Sequence, residues 1–371
     1  MARGHEVCLQ TWVRWQEHVK REGMRFAPAP IYEVFPTRGR PLKPYAAAVR
    51  GARDTRPLVA QFAPDVMVVD VLTVAAALAA ELEERPWATL VPHVMPIPEP
   101  GFPVYSTGAR RPRSAAGAAA WRALDPLVRV GVERGREELN GARERVGLPA
   151  LDHLHGGISR SLALVATFPQ LEYPRVRAEP WARVTGPLLW EQPVGEVELP
   201  PGDDPLVLVA PSTSQDPEGR LVRAALEGLA EEPVRVLVST NQKAGAGGLR
   251  APRNARVVDW LSYARTMPRS AVVLCHAGHG TVARALASGV PLVACPAAGD
   301  MAENAARVAW SGAGVSLPRR LTTPRGVRLA VRRVLSEPAY AGRARQLAAW
   351  AAANDGGVTA AREVERLAEG G

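Results

Sequence analysis

The residues best placed to do chemistry lie between Ala271 and Gly289, AVVLCHAGHGTVARALASG, where His276, Gly278, Gly280 and Thr281 interrupt an otherwise apolar text. Glycines at alternate positions let the backbone turn tightly, and a helix starting there leaves its first N–H groups without intrahelical acceptors. Such groups at the positive end of a helix can hold an anion such as a diphosphate. To position them, the flanking elements must be a strand and a helix. Val272, Val273 and Leu274 read as a strand buried on both faces, and Val282, Leu286 and Gly289 fit a helix and its end. A purely structural turn fits the same residues, and the motif alone does not separate the two.

A second polar segment follows Pro296. In AAGDMAENAARVAWSGAGVSLP, Asp300 ends a strand, and Glu303 and Asn304 open a helix that closes at Gly312. These groups sit beside the glycine turn if the two strands are neighbours; capping of the helix by Asp300 explains them equally well. Trp260, after a short strand at Arg256 to Val258, suits stacking on a planar base or simple packing.

The elements carrying these residues alternate strand and helix, the pattern of parallel α/β sheets. Strands are predicted at Glu6 to Thr11, Asp65 to Val69, Ala88 to Pro92 and Leu162 to Phe168, with helices at Thr73 to Glu84 and Ala115 to Val146, the latter broken near Pro126. The second half repeats the scheme from Leu206 to Leu317, and two helices, Tyr340 to Ala353 and Val358 to Ala368, close the chain. Proline-rich, acidic text from Pro187 to Pro205 marks the linker. The expected division is therefore 1–190, a linker at 191–204, 205–350, and 351–371 packing back on the first domain. With 371 residues, two domains are expected.

A net charge of +9 would suit a polyanion, but lysine occurs only at Lys20, Lys43 and Lys243, so the basic charge is arginine in a text rich in Ala, Gly and Pro. That bias follows from G+C-rich codons, and no nucleic-acid partner is expected. Only Arg110, Arg111 and Arg113 cluster, in a Pro/Gly loop, Met95 to Arg113, that also holds Phe102 and Tyr105. This loop fits an acceptor wall or a flexible surface segment. Cys8, Cys275 and Cys295 suggest neither a disulfide framework nor a metal site. No run reaches the length of a membrane span and no cleavable leader is read, so a cytoplasmic location is expected.

Together the spacings resemble the nucleotide-sugar-dependent glycosyltransferases of the GT-B fold, the large family that includes macrolide and plant UDP-sugar transferases. HAGHGT (His276 to Thr281), ALASGVPLVACP behind it, D-x-x-x-N-A-x-R-V from Asp300 and G-A-G-V carry the likeness, with RGHEV, PDVMVVD and VTGPL in the first half. The resemblance implies two Rossmann-like domains facing across a cleft, acceptor on the first and donor on the second. It also implies roles: His276 touching the diphosphate, Gly278, Gly280 and Thr281 holding phosphates, Trp260 stacking on the base, and Asp300, with Asn304 nearby, at the sugar. Ser212 and Arg284 are further candidates for phosphate or ribose. Phe102 and Tyr105 suit an apolar acceptor, natural product or lipid. The implied reaction is inverting transfer of a hexose from a UDP or dTDP donor, with no metal and no cofactor beyond that co-substrate.

Three departures stand out. Asp300-Met301 replaces the family's acid-Gln pair, Arg284 replaces a ribose-binding Glu, and Trp260-Leu261-Ser262-Tyr263 reduces a W-x-P-Q pattern. In addition, RGHEV matches the end of the family's first helix, so the N-terminal domain is expected to be incomplete at its start, without the first strand and the loop bearing the catalytic His. No base is nominated among His93, His153 and His155, and Asp70 is a weak candidate for orienting one. A sugar-nucleotide epimerase and a non-catalytic nucleotide or glycolipid binder remain as alternatives.

Overall fold

Short Val/Leu/Ala runs separated by amphipathic segments fold as parallel strands joined by helices. The computed structural model describes residues 3–30, 45–153, 157–176, 179–192, 194–213, 215–216, 218–241 and 249–370. The first half holds β1 (Cys8–Thr11), α1 (Gln16–Arg21), β2 (Arg25–Pro28), α2 (Ala46–Phe62), β3 (Met67–Asp70), α3 (Val74–Leu82), β4 (Trp87–Val91), α4 (Ala115–Arg122), α5 (Asp125–Val146), β5 (Ala163–Val165) and β6 (Ala182–Val184). The second holds β7 (Leu206–Ala210), α6 (Arg220–Gly228), β8 (Arg235–Ser239), β9 (Ala255–Val258), α7 (Tyr263–Thr266), β10 (Val272–Cys275), α8 (His279–Ala287), β11 (Leu292–Ala294), α9 (Met301–Ser311), β12 (Gly314–Ser316), α10 (Pro324–Ser336), α11 (Pro338–Ala353) and α12 (Gly356–Glu369).

The C-terminal sheet is parallel throughout, in the order β12-β11-β10-β7-β8-β9. Strand order reverses between β7 and β10, paired from Val207↔Val272 to Ala210↔Cys275, and a crevice opens beyond their carboxyl ends. All four residues of β10 are buried, as expected for a strand covered on both faces. One face packs under α8, α9 and α11 through Val273, Val282, Leu286 and Leu347; the other packs under α6 and α10 through Val209, Leu221, Val327 and Val331.

The N-terminal half forms two parallel ladders, β3-β4-β5-β6 and β1-β2. Among the described residues β1 and β3 each pair on one side only, and α2 spans between them, its Thr55 hydroxyl 3.3 Å from Gln10 Oε1 and its Ala48 and Ala52 packed with Leu78. The predicted break near Pro126 falls at Ala123 and Leu124, because α5 takes the proline into its first turn, where no N–H is needed. Strand β2 and helix α2 are not predicted from the sequence. Gly51 and Pro57 interrupt the α2 text, yet burial of Ala48, Val49, Ala52 and Val59 holds the helix.

The chain crosses between the halves twice. After β6 it runs through the linker, where Glu191 accepts from the N–H groups of Tyr263 (2.6 Å) and Ala264 (2.8 Å), while Val197 and Leu199 lie against the C-terminal core. It returns between α11 and α12, and α12 packs Ala360, Val364 and Leu367 on Ala88, Leu162 and Leu164 of the N-terminal ladder. The crossings touch: a Cβ on Gly356 would stand 2.6 Å from Pro187 O and 2.7 Å from Gly186 O. Gly356→Ala is therefore expected to lower stability by about 1–3 kcal/mol in denaturant unfolding. An unchanged midpoint would show that the crossings are not in contact.

Candidate active site

At the carboxyl end of β10 the chain turns through Ala277, at φ 61°, and Gly278 before α8 begins at His279. No side chain caps α8. A Cβ on Gly278 or Gly280 would meet nothing within 4 Å, so the space before the helix terminus is open. The N–H groups of Gly280 and Thr281 lie in this first turn, without intrahelical acceptors.

His276 sits behind this turn and is nearly buried. Its Nδ1 accepts the Ser212 N–H at 2.8 Å, which places the ring hydrogen on Nε2, 3.1 Å from Asp216 Oδ2. Asp216 also accepts from the N–H groups of Arg220 and Leu221, each at 3.1 Å. His276 and Ser212 thus tie together the loops after β10 and β7, the two strands at the reversal point. Asp216 went unnoticed in the sequence; its legible sign is an acidic residue just before an amphipathic helix.

Strands β10 and β11 are neighbours, and the second polar segment lies beside the turn. Asn304 donates through Nδ2 to Ala277 O (3.0 Å) and Asp300 Oδ2 (3.2 Å). Asp300 occupies the N-cap of α9 but makes no side-chain capping bond; its carboxylate meets Asn304 instead. Arg284 Nη2 donates to Leu189 O of the linker at 2.8 Å. Trp260 follows β9, partly buried, and Met301 lies against the core.

The N-terminal wall comes from the loops after β4 and β5. His93 Nδ1 lies 2.8 Å from Val94 O and 3.3 Å from Tyr105 OH. Burial, reinforced by Asp300 and Glu303, pushes the Tyr105 phenol upward, so it stays protonated. Phe102 turns away to pack edge-on against Tyr173 at 5.7 Å. The loop is clasped to α9: Ser106 N–H donates to Glu303 Oε2 at 3.3 Å, and a Cβ on Gly108 would come within 3.2 Å of Ala302 Cβ. Asp70 is drawn into its own turn, Oδ1 accepting the Leu72 N–H at 2.9 Å. His153 lies 3.3 Å from Asp152, and His155 is outside the described residues.

Arg307 of α9 crosses the cleft. Its Nε donates to Glu303 (2.7 Å), Nη1 donates to Leu171 O (3.0 Å) and lies 3.8 Å from Glu172, and the guanidinium stacks 3.4 Å from the Tyr173 ring centroid. Burial raises the Glu172 carboxyl, with Arg307 opposing. His279 faces the same interface, its Nε2 3.2 Å from Ala166 O, and burial lowers its pKa to about 4, with His93 adding to the shift.

Two Rossmann-like units opposed across such a cleft, with an anion cradle on one, define the GT-B class of sugar-transferring enzymes. Residues 223–367 match the family described as "Erythromycin biosynthesis protein CIII-like, C-terminal domain". The chain is 31% identical over 398 residues to 4'-demethylrebeccamycin synthase of Lentzea aerocolonigenes, covering 99% of this chain and 94% of that protein. Among solved structures, the glycotransferase of kitacinnamycin superposes with a TM-score of 0.74 at 23% identity, covering 99% of this chain and 92% of that one. The glycosyltransferase VinC in complex with dTDP gives 0.71 at 19%, covering 100% and 94%. The chain belongs to this macrolide-type family of GT-B glycosyltransferases. No helix among the described residues is long and apolar enough to cross a membrane.

Two outcomes follow from the buried charges. Arg307→Met leaves Glu303 without its ion-pair partner and Glu172 with Arg175 alone as a neighbouring cation, and should cost about 3–5 kcal/mol in unfolding experiments. His279 has a folded pKa below its unfolded value, so its contribution is complete above about pH 6.5 and fades as pH falls toward 4. The stability difference between wild type and His279→Phe should shift by on the order of 3 kcal/mol between pH 7 and 4, against the wild type on acidification. A pH-independent difference would contradict the buried neutral imidazole.

Proposed function

We propose that this glycosyltransferase moves a hexose from a UDP or dTDP sugar to a hydroxyl of a small apolar acceptor, a natural product or a lipid, with inversion and without a metal. The observation that carries this reading is the uncapped N-terminus of α8, open in front of Gly278 and Gly280 and set at the strand-order reversal. A diphosphate there meets the N–H groups of Gly280 and Thr281 and the positive helix end. Trp260 offers the plane for the base, Asp300 a carboxylate for sugar hydroxyls, and Tyr105 the wall against which the acceptor lies.

In the reaction the acceptor hydroxyl loses its proton to a general base while its oxygen bonds to the anomeric carbon. The bond from that carbon to the diphosphate oxygen breaks, and the electron pair leaves with the nucleoside diphosphate. Amides and helix terminus stabilise that charge, the task a metal performs in other transferases. The likeness to 4'-demethylrebeccamycin synthase supports a natural-product acceptor and a place in secondary metabolism.

UDP or dTDP at a hundred times its Kd should protect the protein by about 2.7 kcal/mol. Gly280→Ala should separate binding from folding, with the free protein gaining about 0.5–1 kcal/mol from the better helix former while nucleotide affinity falls at least about tenfold. Nucleoside diphosphate should be released from a sugar donor when a hydroxylated acceptor is supplied. Absence of protection by either nucleotide, or an isomerised sugar formed without acceptor, would overturn the proposal.

A further inference from the structure

The loop after β4 holds an imidazole with an unused lone pair at the domain interface. Val94 O can only accept, so its 2.8 Å contact places the His93 ring hydrogen on Nδ1 and leaves the lone pair on Nε2. A flipped ring would set a carbon against that carbonyl, so the contact fixes the orientation as well as the tautomer. The ring is half-buried; Nε2 is reachable from solvent and meets no donor among the described residues. Tyr105 OH lies 3.3 Å from Nδ1, with the ring centroids 6.1 Å apart, so the phenol supports the imidazole from its Nδ1 side.

Its neighbours put this ring opposite the donor wall. Val94 is fully buried in the cluster that contains Val282 of α8 and Ala305 of α9. Val91 O accepts the Ala166 N–H at 2.9 Å, and Ala166 O in turn meets His279, the first residue of α8. The two imidazoles are near enough that His93 adds to the lowering of the His279 pKa, and Tyr105, beside His93, is near enough to Asp300 for that carboxylate to raise its phenol. The acids around the cleft are already engaged: Asp300 with Asn304, Glu303 with Arg307, Glu172 with the Met95 N–H, and Asp70 with the Leu72 N–H. Building on the sugar-transfer reading above, we infer that His93 Nε2 is the general base for the acceptor hydroxyl. The proton passes to Nε2 as the acceptor oxygen bonds to the anomeric carbon, and the bond from that carbon to the diphosphate breaks with its electron pair going to the leaving oxygen. Nδ1–H stays on Val94 O, which holds the ring through the transfer, and Nε2 then gives the proton to water. A base on the N-terminal wall serves attack from the face opposite a diphosphate held at α8, as inversion requires.

Rates of glucose transfer by the full chain from UDP-glucose or dTDP-glucose to benzyl alcohol, phenol and 4-nitrophenol test the assignment, with nucleoside diphosphate affinity and thermal midpoint measured alongside. His93→Asn, whose amide N–H can still reach Val94 O, should lower turnover with benzyl alcohol by about a hundred- to ten-thousandfold. Its affinity for UDP or dTDP should stay within about twofold of wild type. With 4-nitrophenol, which ionises by itself in mildly alkaline buffer and needs no base, the loss should shrink to within about tenfold. His93→Gln, likewise without a basic nitrogen, should show the same ordering of acceptors. Transfer to benzyl alcohol by His93→Asn within about threefold of wild type overturns the inference. So does a loss equal for all three acceptors, the mark of a residue that only shapes the wall. Failure of the wild type to bind both UDP and dTDP instead removes the transfer reading on which it rests.

Discussion

The cleft depends on one buried cation. Arg307 leaves the helix that carries Asp300 and Asn304, passes into the N-terminal domain, and ends against Leu171, Glu172 and Tyr173. Removed from water, a guanidinium is tolerated only where its charge is paired and its N–H groups are bonded, and here carboxylates, a carbonyl and an aromatic face all meet it. That requirement fixes the relation between domains more sharply than apolar contact would, since few relative placements satisfy it. Because the N-terminal partners follow β5 and the cation sits on α9, the same contact sets Tyr105 and His93 opposite the sugar end of the donor wall. From the same loop the Ser106 N–H reaches Glu303.

Around that clasp, polar side chains divide between holding the site's shape and facing its contents. His276, Ser212 and Asp216 form a closed relay that joins two loops and anchors the start of α6. Arg284 holds the linker through Leu189 O. The surface left for an anion is mainly backbone, which suits a leaving group: amides fixed by helix geometry need no reorganisation as charge develops.

The C-terminal domain was legible because its strands are buried on both faces and so appear as unbroken Val/Leu runs, with a glycine turn between strand and helix at Gly278 and Gly280. In the first half, α2 was hidden by Gly51 and Pro57, whose local preferences are overridden by packing against α3. Side-chain roles were less legible than positions. That Asp300 meets Asn304 instead of capping its helix, or that Phe102 turns to Tyr173, depends on which loop lies across from which. Arg307 shows the limit: its spacing marks an ordinary helix residue, and its partners come from a strand end far away in sequence.

The glycine contact where the two domain crossings meet also has a kinematic meaning. With Gly186 against Gly356 and no side chain between them, the two connections share a single pivot point instead of two separated ones. Two separated anchors would confine the domains to rotation about the line joining them, like a door on paired hinges. A common pivot permits swivel as well as opening, so the direction in which the cleft gapes is set by the contacts at its far edge, not by the connections themselves.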